Sequence, residues 1–560
     1  MRVTRRGFLG GGLVLAGALT GLTLPSWSDP GVAAPAGTTL EQVLLPRSAR
    51  RRFRTLMAFG GEPHRVRTDL GIEAAAGRED RRELVVGFAH LTDIHVVDAQ
   101  SPLRFEYLDR YYSARHPHGR AYYRPHEMMS AAVADAMVRA VVEHRVGPVL
   151  GAPLGFALNT GDSADNAQHN EVRWAVDLLD GGRVNPDSGD PARWEGVAGG
   201  DPQSWDDHYW HPGGPPPGHP ADLPTATRDF PTVPGLLDAV RAPFDAAGLG
   251  MAWYAALGNH DELVAGDIGT ASRLSRIAVG DRKIFTAPHD LRMSARHAVA
   301  SGTLEKVLRH PPRSSCVQAV TPDPHRRLLS RAEIVDEHFT TTGTPVGHGF
   351  TTRNREQHTA YYAFDRGMAR FLVLDTVDPR RGPRGSLDRG QFDWLARQLR
   401  AARGRAVVIA SHHTLATMTE PGHRGMRVLG PEVEALVLAH REVVAWVNGH
   451  QHRNKVWAHR RPAGGGFWEI NTASHIDWPM QSRLVEIVDN RDGTLSIFAT
   501  MLDHDGPVTS ALPTRDTTGL AGLARELSAN DWQERHAGRR GTRADRNVEL
   551  LVGSPTRPHP

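Results

Sequence analysis

The stretch Leu84-Val85-Val86-Gly87-Phe88-Ala89-His90-Leu91-Thr92-Asp93-Ile94-His95 decides the fold. Leu84 to Leu91 has strand character, and the run stops just before Asp93. The same arrangement recurs four times. Gly155 to Thr160 leads into Gly161-Asp162, and Trp253 to Leu257 into Gly258-Asn259-His260-Asp261. Ala406 to Ala410 leads into Ser411-His412-His413, and Val443 to Val447 into Gly449-His450-Gln451-His452. Helical spacing lies between these runs. Met129, Val133, Met137, Ala140 and Val141 mark a helix starting at Pro125. A helix capped by Ser386 turns Phe392, Leu395 and Leu399 inward, and one starting at Pro431 buries Val433, Leu436 and Val437. Phe371 to Asp375 is a further strand, and Lys455 to His459, Phe467 to Ala473 and Leu484 to Leu502 close the pattern, the last hinged at Asn490-Arg491-Asp492-Gly493. Periodicity therefore gives an α/β chain whose polar clusters gather where the strands end.

Those clusters carry the chemistry of a two-metal site. Two cations a few ångströms apart need about seven hard or borderline ligands, one of them a shared carboxylate. The clusters supply nitrogen and oxygen donors without sulfur, a set suited to Fe, Mn, Zn or Co. Cys316 is the only cysteine, which excludes an intramolecular disulfide framework and a cysteine metal cluster.

The order Asp-x-His, Gly-Asp, Gly-Asn-His-Asp, His, Gly-His-x-His resembles the calcineurin-like metallophosphoesterase superfamily, with anchor points from residue 93 to 452. It also resembles that superfamily's exported actinobacterial branch. The resemblance implies a four-layer α/β/β/α sandwich with long loop insertions. It places one metal on Asp93, His95, Asp162 and His452 and the other on Asp162, Asn259, His412 and His450, with Asp162 bridging. His413 competes with His412, and family position favours His412. The implied reaction is attack on a phosphate mono- or diester by hydroxide shared between the metals. His260, paired with Asp165, is expected to stay protonated and to assist the leaving group.

Departures narrow the branch. Purple acid phosphatases carry a Tyr ligand where Asp165 stands, and serine/threonine phosphatases read Asp-Arg-Gly where this chain reads Asp165-Asn166-Ala167. The chain after His452 is also too short for the C-terminal domain of the 5′-nucleotidases. Two function classes remain: a secreted phosphoesterase acting on a small-molecule phosphoester, and a non-catalytic cell-envelope binding protein on the same scaffold. None of the family's ligand or adjacent His positions is missing, which favours the enzyme. Asp98 reads as a supporting or surface residue. In Asn471 to Trp478, His475 reads as a structural hydrogen-bonding residue ahead of a substrate contact.

The 560 residues carry a net charge of +3 at a pI near 9.1, with 57 Gly and 39 Pro. The arginines are scattered rather than striped, so no nucleic-acid-binding module is expected. Thr4-Arg5-Arg6-Gly7-Phe8-Leu9, the apolar run Leu13 to Leu24 and Ala34-Pro35-Ala36 read as a twin-arginine export signal over residues 1–36. The twin-arginine machinery is the expected partner, the location extracellular or at the cell envelope, and no later segment approaches membrane-spanning length. An Arg-rich arm is expected at 37–82 and the catalytic domain at 83–505, with insertions near 99–124, 181–250 and 262–357. The last two are expected to cap the site. Residues 506–560 read as a tail with one helix, Leu520 to Trp532.

Overall fold

The computed structural model describes residues 37–47, 52–73, 75–111, 122–311 and 316–555. The segment 1–36, expected to be an export signal, and Tyr112 of the aromatic 99–124 insertion lie outside the described residues. The chain opens with a hairpin of β1 (Gln42–Arg47) and β2 (Thr55–Gly60), then β3 (Arg65–Arg67) and β4 (Glu83–Leu91). Helix α1 (Ser130–Glu143), β5 (Phe156–Asn159), α2 (His169–Asp180) and β6 (Trp253–Ala255) follow. After the long insertion come β7 (Tyr362–Arg366), β8 (Ala369–Val373), α3 (Arg389–Ala401), β9 (Ala406–Ala410), α4 (Gly430–Leu438) and β10 (Val443–Asn448). The chain closes with β11 (Lys455–Arg460), β12 (Gly466–Asn471), β13 (Gln481–Asp489), β14 (Thr494–Asp503), α5 (Thr517–Asn530) and β15 (Val548–Gly553).

The fold is mixed α/β, built on two mixed sheets. One has seven strands in the order β3-β15-β14-β13-β4-β5-β6, and the other six in the order β7-β8-β9-β10-β12-β11. β4, β5 and β6 run parallel, as do β8, β9, β10 and β12. These strands are apolar on both faces because both faces are covered. In β8 and β9, Phe371, Val373, Val408 and Ala410 enter a core shared by the two sheets. Their alternate neighbours Leu372, Val407 and Ile409 pack with Leu395 and Leu399 of α3 and Val433 and Val437 of α4. Phe156 locks the shared core, stacking on Phe88 at 5.3 Å and meeting Phe371 edge-on at 5.1 Å. Truncating a buried Phe of this kind to Ala costs about 3–5 kcal/mol.

Several elements differ from the sequence reading. The first long helix begins at Ser130 rather than Pro125, after a tight turn at Glu127–Met129. That turn lets the His126 ring reach the Ile476 carbonyl at 2.6 Å. Helix α3 is capped by Asp388, which accepts from the Gln391 N–H at 2.8 Å, whereas Ser386 accepts from Arg427. Residues 37–82 supply β1, β2 and β3, and 506–555 supply α5, which packs on α1, and β15 within the larger sheet. Among the described residues no helix is long and apolar enough to cross a membrane.

Candidate metal centre

β4, β5, β6, β9 and β10 point their carboxyl ends at one place, and each ends just before a ligand candidate. β4 delivers Asp93 and His95, β5 Asp162, β6 Asn259, β9 His412, and β10 His450 and His452. Asp93, His95, Asp162, His450 and His452 all take left-handed backbone, with φ between 48° and 70°. Such conformations cost about 1–3 kcal/mol each and persist only where the surroundings enforce them. Here the loops enforce them: Asp93 N–H donates to Gly161 O and His95 N–H to Asp162 O, both at 2.9 Å. The small residues before the ligands have a steric role. A Cβ on Gly258 would strike the Asp162 carboxylate, and one on Gly449 would strike Thr92 and the Asp93 carboxylate.

The side chains form two adjoining groups. In the first, Asp93, His95, Asp162 and His452 are all buried, with their ligand atoms within 4.8 Å of one another. In the second, His412 Nε2 lies 3.0 Å from Asn259 Oδ1 and 3.1 Å from Asp162 Oδ2, and His450 Nδ1 is 3.0 Å from the same Asn259 oxygen. Asp162 Oδ2 is also 3.7 Å from His95 Nε2, so one carboxylate faces both groups. His413 is close to His412 and His450, but its Nδ1 meets the Thr376 hydroxyl at 2.8 Å and its Nε2 the Pro383 carbonyl at 3.1 Å. Neither ring nitrogen is left for a metal, so His412 is the better ligand.

The imidazoles are held from behind. His95 Nδ1 donates to Asp165 Oδ1 at 2.9 Å and His452 Nδ1 to Asp477 Oδ2 at 2.6 Å. Their Nε2 atoms, turned away from these carboxylates, face each other 3.1 Å apart inside the group. On the other side, the His412 Nδ1 donates to the Thr160 carbonyl at 3.0 Å. Burial disfavours a charged His412, but Asp162, Asp93 and Asp261 outweigh it and lift the ring to about 9. Burial likewise opposes His452, and Asp93 and Asp477 lift it to about 9. The carboxylates thus attract positive charge to both groups, the condition that favours cation binding.

His260 differs from its expected role. Its Nδ1 donates to the main-chain carbonyl of Asp165 at 2.7 Å and lies 3.5 Å from the carboxylate, which is committed to His95 and to Arg104 at 2.8 Å. Burial pushes the ring down to about 4, although Asp162 pulls the other way. His260 is therefore neutral near pH 7, with its proton on Nδ1 and not on the nitrogen a leaving group would need.

A cavity of about 310 Å³ opens over the centre, bordered by His95, Asp162, Asn259, His260, His450 and His452. Phe105, Tyr122, Arg104 and Arg124 line it from the aromatic insertion, Ala265 and Pro383 from two other loops, and Glu534 and Arg539 from the C-terminal segment. Residues 181–250 contribute nothing to the lining. Their aromatic side chains pack elsewhere: Trp210 is wholly buried against α1 and α5, and Tyr209 against Tyr123. The expectation that this insertion caps the site is corrected.

Asp477, Asp261 and the lining arginines were not singled out as functional from sequence. Asp261 accepts from the N–H groups of Gly258, Asp162, Ser163 and Ala164 at 2.8–3.0 Å, clamping the Asp162 loop. Asp477 is held by Arg124 at 2.6 Å. Its signal was the polar run after β12, and Asp261 stood inside a quoted cluster. His475 meets Ser482 at 2.9 Å, and Asp98 pairs with Arg326, so both are structural.

No family model matches the chain, and no curated protein matches it. A crystal structure of a dimetal phosphatase from Danio rerio is similar over 76% of this chain and 99% of its own, at 12% identity and a TM-score of 0.36. At that distance the likeness carries no functional weight.

Proposed function

We propose that the protein is a dinuclear-metal phosphoester hydrolase on a four-layer scaffold of the calcineurin-like type, belonging to an exported branch. The observation that carries this reading is Asp162, whose Oδ2 faces His412 at 3.1 Å and His95 at 3.7 Å. A carboxylate between two groups of imidazoles is what two neighbouring cations require. The opposed Nε2 atoms of His95 and His452 and the sulfur-free donor set fit Fe, Mn, Zn or Co.

Asp93, His95, Asp162 and His452 would hold one ion, and Asp162, Asn259, His412 and His450 the other. When bound, the ions supply Lewis acidity and lower the pKa of water. Asp165 and Asp477 fix the tautomers of His95 and His452, and Asp261 fixes the Asp162 loop. Neutral His260, with Nδ1 donating to the Asp165 carbonyl, can accept a proton or a hydrogen bond at Nε2.

Metal-loaded protein should hydrolyse p-nitrophenyl phosphate or bis-p-nitrophenyl phosphate, and Asp162→Asn should not. Inactivity with each of Mn, Fe, Zn and Co would overturn the hydrolase in favour of a binding protein. His260→Ala should slow alkyl and p-nitrophenyl esters alike. A loss confined to alkyl esters would instead restore the general-acid role.

The proposed export rests on Arg5-Arg6 and the apolar run after them. Residues 1–40 fused to a folded reporter should reach the cell exterior, and Arg5→Lys with Arg6→Lys should stop it. Export that survives both changes would remove the twin-arginine route.

A further inference from the structure

Beside the metal cavity lies a second, larger cleft of about 930 Å³, lined by seven arginines against three aspartates. Four of the arginines are neutralised locally: Arg331 by Glu262 and Asp375, Arg296 by Asp267, Arg273 by Glu305 and Arg389 by Glu432. Three are not. Arg427 donates only to the Ser386 hydroxyl and to the Ser386 and Val377 carbonyls. Arg380 and Arg381 are exposed, and their side chains make no ion pair or hydrogen bond among the described residues. Of the cleft's other acids, Asp378 accepts from the Arg380 N–H and Asp388 from the Gln391 N–H.

The cleft and the metal cavity share their walls. Pro383 lines the metal cavity, while Arg380 and Arg381, just before it, line the cleft. On the facing loop Ala265 lines the metal cavity and Asp267 the cleft, and the Arg296 guanidinium donates to the Asp267 carbonyl at 3.0 Å. On each loop the wall residues of the two stand only two positions apart, at most about 7 Å of extended chain, so the cavity and the cleft adjoin.

We propose that this cleft is a second anion subsite, seating a distal phosphate of a substrate that carries at least two phosphate groups. The proposal rests on the hydrolase reading for what happens to the other phosphate. Guanidinium forks match phosphate oxygens in geometry as well as charge, and unpaired ones sacrifice no existing ion pair when they bind. Arg380 and Arg381 supply the free forks, and Arg427 stiffens the floor through Ser386.

The test compares hexyl phosphate with hexanediol bisphosphate on metal-loaded protein. The bisphosphate should show a KM lower by about tenfold with kcat little changed. Arg380→Ala with Arg381→Ala should erase that difference while leaving hexyl phosphate hydrolysis intact, and Lys at both positions should restore part of it. Equal KM values for the two esters in the wild type, or a preference that survives the double alanine change, would overturn the subsite. Calorimetric titration with the non-hydrolysable hexylphosphonate and hexanediol bisphosphonate separates this from failure of the hydrolase reading. A protein inert towards all esters should still bind the bisphosphonate more tightly, and lose that advantage in the double variant. Equal binding of the two phosphonates would refute the subsite whatever the catalytic result. Tighter binding of an oligonucleotide than of the bisphosphonate, through the same arginines, would overturn the small-substrate assignment.

Discussion

The two halves of the candidate metal centre share Asp162 and carry two histidines each, but they are held in different ways. On the His95/His452 side each imidazole donates to a buried carboxylate, Asp165 or Asp477, and those carboxylates are themselves fixed by Arg104 and Arg124. On the His412/His450 side, His412 donates to a main-chain carbonyl, and the His450 nitrogen that meets Asn259 is the one turned into the group. Carboxylate partners raise the basicity of an imidazole ligand and hold its tautomer. The first half should therefore grip its ion more tightly, and the second should exchange more readily.

The largest effect tests what the halves share. Asp162→Asn should lower metal content at both positions and reduce hydrolysis by more than about a hundredfold. Full metal content in that variant, by elemental analysis, would end the shared-carboxylate assignment. Asp477→Asn should next weaken one ion by about 10–100-fold, read by competition with a chelator, while the other stays in place. Asn259→Ala should do the reverse, releasing the weaker ion first. If both variants release the same ion, the asymmetry is wrong.

A smaller effect concerns pH and only the Asp477 side. Asp531 ends α5 beneath that side, with its Oδ2 unpartnered, and burial pushes it up to about 8, helped by the charges of Asp477 and Glu534. A carboxyl raised in the folded state binds its proton more tightly there than in the unfolded chain, where the pKa is about 3.9. Its stabilisation is complete below about pH 4 and is lost as pH rises through about 8. Tm should therefore fall over this window, and Asp531→Asn should flatten the fall by a few degrees. An unchanged profile would show that the group is already ionised. The smallest effect comes from the 181–250 insertion: replacing its stretch 213–219, at the surface apart from the buried Pro216, with a short linker should leave metal content and the ester KM values unchanged.

The candidate ligands were legible as clusters because each follows a strand, so an apolar run and the polar residues after it announce one another. The strands on which they stand were legible for the same reason. β9 is recovered residue for residue as Ala406–Ala410. Contacts between distant segments were not legible. β15 is a six-residue strand at the end of a charged stretch, and it becomes a strand because β14 offers it an edge. The 181–250 insertion is expected to cap the site, yet its Tyr209 and Trp210 cover Tyr123 and the α1–α5 seam, because a loop's sequence does not say which surface its rings will cover. His260 and Asp165 were paired by position, but Arg104 and His95 reach the carboxylate first and leave His260 the carbonyl.

By itself the sequence determined the α/β class, the clusters that meet at the strand ends and the donor types they carry. These follow from local periodicity and side-chain chemistry, which no partner is needed to define. The tertiary structure alone decided which histidine turns inward, which carboxylate stands behind each ring, what charge His260 carries and which loops wall the cavity. Hydrogen bonds and pKa shifts depend on ångström-scale distances between segments hundreds of residues apart, and only the packed fold sets those distances.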